Sequence, residues 1–207
     1  MDRARLLQRG VWLATVTVGW NVIEGIIAVA AGALASSVAL IGFGIDSFVE
    51  TASGAFVGWR LRAELRGHAD EERAEVLERR AGRIAGTLLL GLAVYIVVDV
   101  GHRLFGFGAE AQESKVGIAL TAISAVVMPA LGWAKLGIAK ALRSGALRAD
   151  AYETITCSWL SITTLAGLIL NAAFGWWWAD PLAALAIVPL AVREGLEGWR
   201  GECRDSN

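Results

Sequence analysis

The sequence predicts an all-α polytopic membrane protein with six transmembrane helices and both termini in the cytoplasm. Three observations carry that expectation: an excess of apolar residues, the bunching of charge between long uncharged runs, and a one-sided distribution of arginine and lysine. Of 207 residues, 56% are hydrophobic and a further 24 are glycine, with a mean hydropathy of +0.54. An ordinary soluble domain is about 45–50% apolar with glycine already counted. A lone core of this size cannot hide so much apolar surface from water, so lipid must cover it. The 19 basic and 20 acidic residues leave a net charge of −1 and a pI near 6.1, without the basic excess of a nucleic-acid binder. Cys157 and Cys203 are too few for a disulfide scaffold.

The spans follow in order. The first, 11–34, is interrupted only by Asn21 and Glu24 and is longer than the core of a signal peptide. The second, 37–62, carries Asp46 and Glu50, and the third, 84–105, has Asp99 and His102 toward its end. The fourth, 116–138, holds Pro129, and the fifth, 147–178, has Glu153 and Cys157 in its first half. Asp180-Pro181, a good cap and first-turn pair, opens the sixth at 180–199, where Pro189 predicts a kink. Six spans of roughly 20 residues fit the length comfortably. Residues 1–10 form a cytoplasmic N-terminus, 11–199 the six-span transmembrane domain, and 200–207 a short cytoplasmic tail.

Orientation comes from the basic residues. Arg3, Arg5 and Arg9 precede the first span, and Arg60, Arg62, Arg66, Arg73, Arg79, Arg80 and Arg83 follow the second. Lys135, Lys140, Arg143 and Arg148 are assigned to the loop after the fourth, and Arg193, Arg200 and Arg204 to the tail. Only Arg103 and Lys115 fall on the other side, so the positive-inside rule places both termini in the cytoplasm. Trp176, Trp177 and Trp178 then belong to the outer interface, and Trp12, Trp59 and Trp199 to the inner one. The expected location is the plasma (inner) membrane. The 64–81 segment mixes Asp70, Glu71, Glu72, Glu75 and Glu78 with arginines at helical spacing and reads as a solvated helix extending span two or three.

Ionisable groups inside the spans cost about 2.5–3.5 kcal/mol each on insertion scales, which makes them functional candidates by default. Asp46 and Glu50 are four apart, one turn above the other on a single helix face, and Glu153 and Cys157 repeat that spacing. Two such pairs on two helices can converge on one point and supply four ligands. Carboxylates with a thiolate suit a divalent transition ion, the sulfur favouring zinc over magnesium or calcium. No basic residue is expected at comparable depth to neutralise the carboxylates, although Cys157 alone would read as a small hydrophobe. Glu24 with Asn21 is an accessory ligand pair or proton relay, or else a helix–helix hydrogen-bond pair. Asp150 reads as a cap on span five or a charge at the mouth of an ion path, with an accessory or proton-relay role as the alternative. Asp99 and His102 pair with each other at i,i+3 or line an exit path, and Asp180 is an N-cap. His68 with Asp70, and Cys203, read as solvated residues, with a second metal site or regulation as the alternative.

These motifs resemble the cation diffusion facilitator (cation efflux) family. Ser37-Val38-Ala39-Leu40 followed by Gly42, Asp46 and Glu50 is similar to its second span, where the half-site is D-x-x-x-D. Ala149-Asp150-Ala151 followed by Glu153 and Cys157 is similar to the fifth, where it is H-x-x-x-D. Asn21 with Glu24, and the run from Trp178 to Leu185, fit the same pattern, and the resemblance extends from about Leu13 to Leu196. It implies six spans, a homodimer, and export of a divalent metal ion against an inward proton flow. Three features depart from the family: Asp/Glu for Asp/Asp, Glu/Cys for His/Asp, and no C-terminal metal-sensing domain, as in the short form of the family.

With all four ligands ionised their charge exceeds that of a divalent ion, which is unfavourable in low dielectric. Protons therefore replace departing metal, and metal expels protons, the minimal chemistry of antiport. Glu153, standing where the family has histidine, is assigned the main exchangeable proton. The sequence thus predicts a transporter that exports zinc from the cytoplasm by proton antiport with alternating access, with a transported divalent ion and no prosthetic group. Iron, cobalt, nickel or manganese is the alternative cargo, and a non-transporting membrane metal-binding or scaffold protein is the alternative class. No His-rich centre or nucleophile–base pair appears in any span, which argues against an enzyme.

Overall fold

In hydrocarbon every backbone N–H and C=O must find a partner within the protein, and this chain meets that demand with helices. The computed structural model describes residues 3–67, 71–105 and 110–200. Its helices are α1 (Arg3–Ala35), α2 (Val38–Leu65), α3 (Glu71–Leu104), α4 (Lys115–Leu142), α5 (Gly145–Phe174) and α6 (Ala179–Arg200). Five of them, with α3 counted through its stretch Gly86–Arg103, are long and apolar enough to cross a membrane. The 22-residue α6 is apolar only between Asp180 at its start and Arg193, Glu194 and Glu197 near its end. The chain is an all-α, multi-pass integral membrane protein.

Helix starts are written in serine. Ser37, Ser114 and Ser144 each hold an extended backbone and accept a hydrogen bond from the amide three residues on, that of Leu40, Gly117 and Leu147 respectively. At the other end of α5, Gly175 takes the left-handed conformation (φ 67°) that stops the helix. Trp176 and Trp178 therefore fall in the turn between α5 and α6, stacked with centroids 5.0 Å apart.

Packing joins α1 to α2, α4 to α5 and α3 to α6, and contacts of α1 with α4 and α2 with α5 close the first two pairs into a quartet. Bare backbone allows the closest approaches. A Cβ at Gly44 would lie 2.9 Å from the Val29 amide nitrogen, and one at Gly86 would lie 2.6 Å from the Gly195 carbonyl oxygen. Apolar side chains such as Trp12, Ile26, Val126 and Trp133 face outward. Inside, Phe43, Leu40, Ile96, Met128, Leu168 and Ile187 share the interior with Asn21, Glu24, Glu50, Lys135, Asp150 and several hydroxyls.

Side-chain clusters tie both ends. At one, Leu6, Leu61, Leu142 and Leu147 cluster, and Arg3 Nη2 meets Glu64 Oε1 at 2.5 Å. At the other, Asp180 serves as a cap, though of a different helix from the one expected. It lies inside the first turn of α6, where it accepts hydrogen bonds from the Ser37 hydroxyl and from the Val38 amide (2.9 Å). It thus caps α2 from a distance in sequence. Asp99 takes Arg103 as its partner at 2.5 Å, and Arg103 Nη1 donates to the Ser36 carbonyl at 2.8 Å. An i,i+4 carboxylate–guanidinium pair satisfies both charges, which explains why Asp99 turns toward Arg103.

Asp180→Ala leaves the Val38 amide and Ser37 hydroxyl buried without that acceptor. It should cost about 1–3 kcal/mol, read as a lower melting temperature in detergent, with Asp180→Asn losing less. Equal melting of all three proteins would refute the cross-helix cap.

Candidate metal centre

The four expected ligands ride on two touching helices. Asp46 and Glu50 lie on α2, 8% and 2% exposed, and Cys157 on α5 is 2% exposed, with Glu153 half-buried on the same helix. Residue contacts fix the register. Ser53 Oγ donates to Glu153 Oε2 at 2.6 Å, a Cβ at Gly54 would lie 3.5 Å from Asp150 Oδ1, and Glu50 stands beside Thr154 and Cys157. Numbers fall along α2 as they rise along α5, so the helices are antiparallel and their i,i+4 pairs run in opposite order.

That order brings Glu50 toward Cys157, with Asp46 close enough for its charge to act on the thiol. It carries Glu153 one turn the other way, level with Ser53. Among the described residues, no three His, Cys, Asp or Glu side chains stand close enough to hold one ion together. Neither Glu50 oxygen receives a hydrogen bond of acceptable geometry, although Thr154 and Cys157 adjoin it.

Charge at this depth is not all negative, which corrects the expectation drawn from the basic residues. Lys135 belongs to α4 rather than to the loop after it, because that helix continues to Leu142. Its side chain is 0% exposed on the inward stripe formed by Met128, Gly132, Lys135 and Ala139. Nζ lies 2.8 Å from Asp150 Oδ2 as an ion pair, and it gives its well-formed hydrogen bond to Thr154 Oγ1 at 3.0 Å. Asp150 is accordingly not the cap of α5. Ser144 caps α5, and Asp150 lies more than a turn inside, 1% exposed against its lysine. The spacing 132, 135, 139 of two small residues around a lysine is the sequence signal that points to this burial.

Glu24 is fully buried and joins three helices. It accepts from Trp20 Nε1 at 3.3 Å on α1, Ser47 Oγ at 3.0 Å on α2, and Ser124 Oγ on α4. Asn21, one turn away and also fully buried, has no hydrogen-bond partner for either amide atom. Sequence reasoning missed Ser47, Ser53, Ser124 and Thr154, because hydroxyls are common in membrane helices and here also bond to their own backbone, as Ser47 does to the Phe43 carbonyl. His68, Asp70 and Cys203 lie outside the described residues.

A polar, charge-bearing interior wrapped in an apolar exterior is the arrangement of a multi-pass membrane domain built around a hydrophilic function. The chain belongs to the cation efflux transmembrane domain family, whose pattern matches residues 14–198. Over 158 residues it is 28% identical to a protein of Synechocystis sp. described as the uncharacterized transporter sll1263, covering 75% of this chain and 50% of that one. The chain therefore spans about half the length of this curated relative.

Lys135→Met alone strands the Asp150 carboxylate and should cost about 3–5 kcal/mol, whereas Lys135→Met/Asp150→Leu removes both charges and should recover most of it. Denaturant unfolding in detergent measures the cycle. Additive losses would mean that the two side chains do not interact.

Proposed function

We propose that the protein exports a divalent transition-metal ion, zinc by preference, from the cytoplasm in exchange for protons. Asp46 and Glu50 on α2 and Glu153 and Cys157 on α5 are the ligands. One observation carries the reading: Glu50 is a carboxylate buried to 2% exposure whose two oxygens receive no well-formed hydrogen bond, directed toward a thiol. Buried acceptors almost always have partners, and an arriving cation supplies one. Membership of the cation efflux family supports the same cargo class, and the similarity to the uncharacterized transporter of Synechocystis agrees with it.

In the proposed cycle, α5 turns and slides against α2 until Glu153 leaves Ser53 and joins Glu50, Cys157 and Asp46 around the ion. Coordination requires deprotonated ligands, so loading the site releases protons and unloading it takes them up. Glu153, already within reach of a hydroxyl, carries the main exchangeable proton. Glu24 and Asn21 act as an accessory relay on α1. α6 completes a six-span bundle with both termini in the cytoplasm of the plasma membrane, and the working unit is a homodimer. No catalytic step is involved.

Metal flux into proteoliposomes tests this. Asp46→Ala should abolish zinc flux, while Cys157→Ser should keep flux but shift preference from zinc toward manganese, because it exchanges a soft donor for a hard one. Flux at fixed zinc gradient should rise with an opposing pH gradient. Indifference to that gradient would remove proton coupling from the scheme.

A further inference from the structure

We infer that Lys135 is a positioning residue for the metal site, locking α5 to α4 so that the ligand stripe of α5 keeps one rotation and the two helices move against α2 as a unit. The inference rests on the ligand assignment just proposed.

The argument begins with spacing. Asp150 and Thr154 are four apart on α5, and Glu153 and Cys157 are four apart on the adjoining stripe of the same helix. Whatever holds the first stripe in place sets where the second one points. Lys135 holds it at two points, through Asp150 Oδ2 at 2.8 Å and Thr154 Oγ1 at 3.0 Å. The Thr154 hydroxyl also bonds to the Asp150 carbonyl at 3.0 Å, so the three polar groups form one unit.

The far side of that unit abuts α2. Asp150 Oδ1 faces the bare backbone of Gly54, one turn from Glu50, where a Cβ would stand only 3.5 Å away. The pair therefore packs between α4 and α2, and Glu50 lies within the field of both charges. Lys135 and Asp150 are 0% and 1% exposed. Buried ion pairs contribute little net stability compared with apolar residues of similar size, so geometry rather than stability is the better account of this one. Groups that orient metal ligands without touching the ion typically change metal affinity by about 10–100-fold.

The test uses the full chain in proteoliposomes with zinc as the probe, beside zinc binding to the same proteins in detergent. Lys135→Met/Asp150→Leu should melt close to wild type yet need at least about tenfold more zinc for half-saturation, with a much smaller change in maximal rate. Thr154→Val, which cuts one arm of the contact and keeps the ion pair, should raise the half-saturating concentration by a smaller factor. Wild-type zinc affinity in both variants, with Asp46→Ala still inactive, overturns the role of Lys135 and leaves the ligand set standing. Flux that survives Asp46→Ala overturns the ligand set, and the inference with it.

Discussion

Hydrocarbon offers no partner to a charge, and that constraint orders the whole molecule. Each carboxylate or ammonium inside the spans must either find its opposite within the protein or face a ligand that will. The quartet of α1, α2, α4 and α5 exists around such groups. Glu24 is answered by three donors on three helices, Asp150 by Lys135, and Asp180 by the start of α2. Outside lie tryptophan, isoleucine and valine, where a soluble protein would carry its charges. Against this background, the Glu50 carboxylate stands buried with no well-formed hydrogen bond to either oxygen, as do the two amide atoms of Asn21.

Much of this was legible in the sequence because helices have a fixed period. The interval between Asp46 and Glu50, and between Glu153 and Cys157, places each pair on one face whatever the neighbours do. Burial of Asp46, Glu50 and Cys157 follows from that face turning inward. What the period does not contain is how one helix is rotated against another. Antiparallel packing separates Glu153 from Asp46 along the α2–α5 contact, and nothing in either segment alone announces that distance.

Lys135 was hidden for a related reason. A lysine near the end of an apolar stretch satisfies the positive-inside pattern equally well as a loop residue or as an interior one. Only α4 running on to Leu142, with Gly132 and Ala139 on the same stripe, decides between them. Asp180 misled in the same way. A carboxylate in the first turn reads as a cap for its own helix, while its partners Ser37 and Val38 lie far earlier in the chain. Local chemistry names what a group wants, and the tertiary fold decides who supplies it.

The close contact of Gly86 with Gly195 has a mechanical side. It packs α3 on α6 backbone to backbone, and Trp199 Nε1 adds a hydrogen bond to Thr87 Oγ1 at 3.0 Å, so the two pack as one plank. The fastenings of that plank to the quartet, Asp180 on Ser37 and Arg103 on Ser36, sit together near one tip. Along the rest, smooth apolar contacts such as Val49 with Leu89, Ala93 and Ala191 resist sliding only weakly. At 1.5 Å per residue α3 is about 50 Å long, so a tilt of about 5° at the fastened tip sweeps the opposite tip through about 4 Å. The geometry is that of a lever with its fulcrum at a corner, in which a small rotation at one end becomes a larger displacement at the other.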